Sequence, residues 1–124
     1  MPPLSLVILY VDSPVHSADF YRRLLRAEPL EQAPTFSMFP LPGGTRLGLW
    51  SRHTVEPAAA GTDAGLGGGT ELAFNAEDVD AVHAEWAGLG LPILQPPTEL
   101  DFGRTFVALD PDGHRLRVFK PSPS

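Results

Sequence analysis

Residues that commonly carry chemistry are present in this chain, but their spacing assembles no reacting constellation. His16, His53, His83 and His114 show no ligand spacing with one another, so surface or turn positions suit them. Asp12, Asp19, Asp78 and Asp80 fall at helix starts or on exposed faces, where capping and solubility account for them. No Ser-His-Asp arrangement and no carboxylate pair in a defined site can be read, which leaves an enzyme without its reacting groups. The 124 residues include no cysteine. That excludes disulfides, thiolate zinc sites and cysteine nucleophiles, and it suits a cytoplasmic setting.

The residues that remain are those of a binding wall. Trp50 and Phe119 occupy matching places in two similar segments, where they either flank a flat aromatic ligand or fill a small core. Gly48, two residues before Trp50, leaves space beside it, which favours the ligand role. Tyr10, Phe36, Met38, Phe102 and Phe106 are further wall candidates, with Arg104 beside them. Glu71 and Arg117 either pair with each other or offer a carboxylate and a guanidinium fork to a ligand.

These side chains must be positioned by a unit written twice. Pro42-Gly43-Gly44-Thr45-Arg46-Leu47-Gly48-Leu49-Trp50 matches Pro111-Asp112-Gly113-His114-Arg115-Leu116-Arg117-Val118-Phe119, both reading Pro-x-Gly-x-Arg-Leu-x-aliphatic-aromatic. Upstream, Leu6-Val7-Ile8-Leu9 matches Glu71-Leu72-Ala73-Phe74 at a slightly different offset, as a few inserted loop residues require. Each copy opens with a β-type run followed by a helix. Ser13-Pro14 introduces Val15, Ala18, Tyr21, Leu24 and Leu25 at helical spacing. Asp78 caps a second helix carrying Val79, Val82, Trp86 and Leu89, stopped at Gly88-Leu89-Gly90 before Pro92. Strands are predicted over 36–41 and 45–50 and over 104–109 and 115–119, each pair joined by a Pro/Gly-rich hairpin turn, with shorter strands at 29–32 and 93–95. The prediction is an α+β fold of two βαβββ modules, residues 1–55 and 70–124, joined by an Ala/Gly-rich linker at 56–69. Gly67-Gly68-Gly69 in that linker lacks the Gly-Lys-Ser/Thr of a phosphate loop.

Strand parity separates the faces. Val7, Leu9 and Val11 oppose Leu6, Ile8 and Tyr10; Leu47 and Leu49 oppose Arg46, Gly48 and Trp50. Leu72 and Phe74 oppose Glu71, Ala73 and Asn75; Leu116 and Val118 oppose Arg115, Arg117 and Phe119. One face is aliphatic and packs under helices. The other is mixed, as a ligand cleft needs: apolar walls for affinity and a few polar groups for orientation. A net charge of −6 and a single lysine, Lys120, argue against a nucleic-acid surface. The apolar run near 4–11 is too short for a membrane span and lacks the flanks of a signal peptide.

The paired βαβββ pattern, Tyr10-Val11-Asp12 followed by Phe20-Tyr21, and the turn Asp110-Pro111-Asp112-Gly113-His114 together resemble the vicinal oxygen chelate superfamily, which includes glyoxalases, bleomycin resistance proteins and dioxygenases. Within it, Glu28-Pro29, Leu49-Trp50-Ser51, Glu85-Trp86 and Gly103-Arg104-Thr105-Phe106 are similar to phenazine-resistance members. The resemblance implies a curved mixed sheet around a cleft with helices outside. It places metal ligands, where members have them, at positions matching Leu6, Gly48, Glu71 and Arg117. Only Glu71 among these offers a ligand atom at neutral pH, so a metal-free, cofactor-free binding protein for a planar aromatic or antibiotic-like molecule is expected. A glyoxalase-like isomerase or dioxygenase with shifted ligands is the alternative, and a scaffold whose cleft is incidental a third. The resemblance also implies a homodimer, with exchange of modules permitted by the linker.

Overall fold

A computed structural model describes residues 3–58 and 70–123. The chain divides into two compact units, Met1–Leu66 and Gly67–Ser124. Most of the expected linker, residues 59–69 with the Gly67-Gly68-Gly69 run, lies outside the described residues.

The first unit runs β1 (Leu6–Val11), α1 (Pro14–Leu25), β2 (Glu31–Ala33), β3 (Phe36–Pro40) and β4 (Arg46–Ser51). The second repeats this as β5 (Glu71–Asn75), α2 (Val79–Gly88), β6 (Ile93–Leu100), β7 (Gly103–Leu109) and β8 (Arg115–Pro121). The sheets have equivalent orders, β1-β4-β3-β2 and β5-β8-β7-β6. In each, the first and last strands are parallel and the other pairings antiparallel, so each unit is a βαβββ module with a mixed sheet.

Both helices begin where their caps dictate. The Ser13 hydroxyl accepts the His16 N–H ahead of Pro14, whose fixed φ and missing N–H suit a first turn. The Asp78 carboxylate accepts the Ala81 N–H at 3.0 Å. The buried stripe of α1 is Pro14, Ser17, Ala18 and Tyr21 at i, i+3, i+4, i+7. Val15, expected on that stripe, is exposed, because Pro14 takes the inward position one residue earlier. Leu89, expected on the apolar face of α2, is the exposed C-cap, and Leu91 after the turn is buried instead.

Each helix covers one face of its own sheet. In the first module that face is Leu9, Val11, Ser37, Phe39, Leu47 and Leu49, all buried. In the second it includes Phe106, Ala108, Leu116 and Val118, with Trp86 of α2 edge-on to both Phe74 and Phe106. Strand β6 is longer than the three residues expected and passes through Pro96 and Pro97 with two register shifts against β7. It tolerates them because it is an edge strand and because both prolines fall in the register shift between Gln95 and Thr98, where the ladder pairing is interrupted.

Candidate functional site

Period-two alternation leaves each sheet a second face, opposite its helix, and most of the residues singled out above lie on these open faces. In the first module the register pairs Tyr10 with Trp50, Trp50 with Phe36, Ile8 with Gly48 and Gly48 with Met38. Trp50, Phe36 and Met38 are half-buried, while Tyr10 and Ile8 are each 37% exposed. The Phe36 and Trp50 rings meet edge to face, 6.3 Å apart at 88°. Gly48 was expected to leave room for a ligand. Its room is taken by neighbours instead: a Cβ there would stand 3.0 Å from Phe36 Cε1 and 3.3 Å from Ile8 Cγ1. Glycine lets the Phe36 ring settle onto the sheet, and the result is an unbroken apolar surface.

The second module places charge where the first has carbon. On its open face the Glu71 carboxylate accepts the Arg117 Nε–H at 2.6 Å, the diagonal relation that Leu6 and Gly48 hold in the first module. Arg117 also donates through Nη1 to the Thr105 hydroxyl at 3.2 Å, and its guanidinium stands 5.8 Å from the centre of the Phe102 ring. Thr105 is fully buried and gives its own proton to the Val118 carbonyl at 2.8 Å, so its oxygen faces Arg117 as an acceptor. Phe102, at the β6–β7 turn, is edge-on to Phe119 at 6.2 Å. Glu71, Arg117, Phe102 and Phe119 thus form one cluster. Of the two arrangements open to Glu71 and Arg117, the structure contains the mutual pair.

Phe106 and Arg104 belong to the other face. Phe106 stands opposite Val118 in the β7–β8 register, is wholly buried, and packs edge-on against Trp86 and His83 of α2. Arg104 shares its parity and donates two 2.8 Å hydrogen bonds to Asp80 in the first turn of α2, with a third to Glu99. These bonds hold the Asp80 carboxyl below its ordinary range and the Arg104 guanidinium above its own. Neither residue is a wall residue; both fasten α2 to the sheet. The missing information was the parity of β7, since an apolar residue at either parity suits a strand whose two faces are both largely buried.

Thr105 is the residue that sequence reasoning passed over, whereas Arg115 was already placed on the mixed face by strand parity. The signal was the repeat: Thr105 stands 69 residues after Phe36, the same interval that separates Trp50 from Phe119. The histidines take structural places. His114 is buried in its turn with Nδ1 2.8 Å from Asp110 Oδ2, while Asp110 Oδ1 accepts the N–H groups of Asp112 and His114. His53 Nε2 lies 2.8 Å from Asp12, which also accepts from Arg52; these two hydrogen bonds lower the Asp12 carboxyl from its usual value. Asp12 is therefore a tie between the ends of β1 and β4, and Ser13 is the cap. An open groove along His53, Thr54, Val55, Glu56, Pro57 and Ala58 contains none of the expected site residues.

The four positions that the resemblance assigns to a metal do not fit one. Leu6 and Gly48 bring no donor atom, and the Glu71 carboxylate is engaged by a guanidinium. Among the described residues, no three His, Asp or Glu side chains group to hold an ion.

The chain is 32% identical over 120 residues to the phenazine antibiotic resistance protein EhpR of Enterobacter agglomerans, an alignment covering 92% of this chain and 88% of that protein. It is similar to a protein of Agrobacterium tumefaciens solved by solution NMR, with 50% identity, a TM-score of 0.87, and 99% and 100% of the two chains covered. The fold is shared with TnmS3, an antibiotic binding protein from Streptomyces sp. CB03234, at 23% identity, TM-score 0.74 and 98% of each chain. The family profile of the Glyoxalase/Bleomycin resistance protein/Dioxygenase superfamily matches residues 4–118, and the chain belongs to that superfamily.

Proposed function

We propose that this protein binds and sequesters a planar aromatic, antibiotic-like small molecule, without covalent chemistry and without a metal, in drug resistance or self-protection during natural-product synthesis. The observation that carries the reading is the open face of the first module, where Trp50, Phe36, Tyr10, Met38 and Ile8 form an apolar surface left partly uncovered by the fold. Trp50 is the principal stacking group; contacts of this kind add about 0.5–1.5 kcal/mol per ring pair beyond the area they bury. A dissociation constant near 1 μM needs only about −8 kcal/mol, within reach of a tricyclic ligand stacked on such a surface. The 32% identity to a phenazine antibiotic resistance protein supports the ligand class. The protein acts in the cytoplasm and as a homodimer, with exchange of modules between chains as one form of the pairing.

Tryptophan fluorescence tests this directly, because Trp86 is buried against Phe74 and Phe106 and Trp50 is half-exposed on the open face. Titration of metal-analysed protein with phenazine, quinoxaline and bleomycin-type compounds is expected to give saturable quenching that Trp50→Ala abolishes, with no metal bound in stoichiometric amount. Absence of saturable quenching across the panel, together with stoichiometric Fe, Ni, Mn or Zn surviving dialysis, would favour an enzyme of the superfamily instead.

A further inference from the structure

We infer that the second module recognises an acidic group on the edge of the ligand through Arg117, and that Glu71 passes to Arg115 when it does so; this rests on the binding function proposed above. The open-face row of β8 reads Arg115, Arg117, Phe119, each one pleat from the next and about 7 Å along the strand. Arg117 is fixed before any ligand arrives. Glu71 holds Nε, buried Thr105 holds Nη1, and the Phe102 ring lies against the guanidinium. Its Nη2 has no partner among the described residues. The side chain is 18% exposed, so a hydrogen bond to it forms in a partly dehydrated setting and loses little side-chain freedom. A flat ring stacked on Phe119 therefore brings a carboxylate or phenolate at its edge to a prepositioned donor.

Charge decides between an acidic and a neutral group. Glu71 neutralises only one of two arginines, because Arg115 lies directly opposite it in the β5–β8 register and shares its face. Arg115 is exposed, and among the described residues its side chain has no hydrogen-bond or ion-pair partner. The cluster thus carries one cation in excess on a protein whose net charge is −6. An incoming anion restores balance: it takes the Arg117 fork, and the Glu71 carboxylate, 37% exposed and free to turn, pairs with Arg115 across the strands. The first module has no counterpart, since Leu6 and Gly48 stand where Glu71 and Arg117 do. The two open faces therefore differ in the chemistry each offers, the first apolar over Ile8, Met38 and Trp50 and the second acid-binding.

Calorimetric titration with two matched pairs, phenazine against phenazine-1-carboxylate and quinoxaline against quinoxaline-2-carboxylate, tests the assignment. In the wild type each acid is expected to bind about tenfold more tightly than its parent, the scale of one charge-assisted hydrogen bond. The charge-neutral double variant Glu71→Gln/Arg117→Gln, checked for folding by circular dichroism, should lose that preference, so that each acid and its parent bind alike. Arg115→Gln should reduce the preference, read as the ratio of acid to parent affinity. Equal binding of acid and parent by the wild type, or a preference that survives the double variant, would overturn the inference and leave the binding function standing. Failure of all four compounds to bind would remove both.

Discussion

At the scale of single residues, two glycines show how closely this fold approaches itself. Gly48 lies beneath Phe36 and Ile8, so Gly48→Val should displace the Phe36 ring, destabilise the protein by about 1–3 kcal/mol and weaken ligand binding. Gly103 is more constrained. It has φ +144°, and a Cβ there would collide with the Lys120 carbonyl oxygen, a backbone atom that cannot turn aside. Gly103→Ala is expected to cost at least about 3 kcal/mol, more than Gly48→Ala, as read by urea denaturation of the two variants. Neither close contact is legible in the sequence. Gly48 reads as empty space; the register sets Met38 opposite it, and only the side-chain packing shows that the Phe36 ring, next along the same face of β3, lies over it. The Glu71–Arg117 pair was legible as one of two alternatives, because both residues match positions in the repeat. The Thr105 hydroxyl that supports it was not, since its partner is a backbone carbonyl.

At the scale of elements, the ties between helix and sheet are electrostatic at the ends and apolar in the middle. Arg104 joins β7 to the first turn of α2 through Asp80, and its hydrogen bonds keep the Asp80 carboxyl ionised to lower pH than an unfolded aspartate. The stabilisation is complete above the unfolded value near 3.8 and is lost as pH falls through the lower folded value. Urea denaturation across that acid range should show wild type and Asp80→Asn converging as pH drops, with the wild type more stable near neutrality. A separation that persists unchanged below the folded value would contradict the tie. Helix caps and hairpin turns were readable from the sequence: Ser13 before Pro14, Asp78 before an apolar run, and Gly-rich turns after β3 and β7. The length of β6 was hidden by Pro96 and Pro97, which suggest a break wherever a strand is assumed to be interior. Parity within β7 was hidden because Thr105, Phe106, Val107 and Ala108 are all buried, leaving no polar alternation to read.

At the scale of the molecule, one structural unit has been used twice and then made unequal. The strand orders and helix positions correspond, while the open faces differ: beyond the matching Arg46 and Arg115, the first is aromatic and aliphatic and the second carries the Glu71–Arg117 pair. The repeated Pro-x-Gly-x-Arg-Leu segment discloses the duplication from sequence alone. The chemical inequality of the two faces is legible in the same comparison, where Gly48 aligns with Arg117. Among the described residues no helix is long and apolar enough to cross a membrane. The proposed homodimer predicts a mass by light scattering of twice 13.4 kDa, with a value of 13.4 kDa counting against it. The central claim, that the faces opposite the helices bind the ligand, is tested most directly by NMR of ¹⁵N-labelled protein titrated with phenazine-1-carboxylate. Shift changes are expected to concentrate at Phe36, Met38, Gly48, Trp50, Arg117 and Phe119; changes confined to the helix-covered Phe39, Leu47 and Phe106, or to the 53–58 groove, would contradict it.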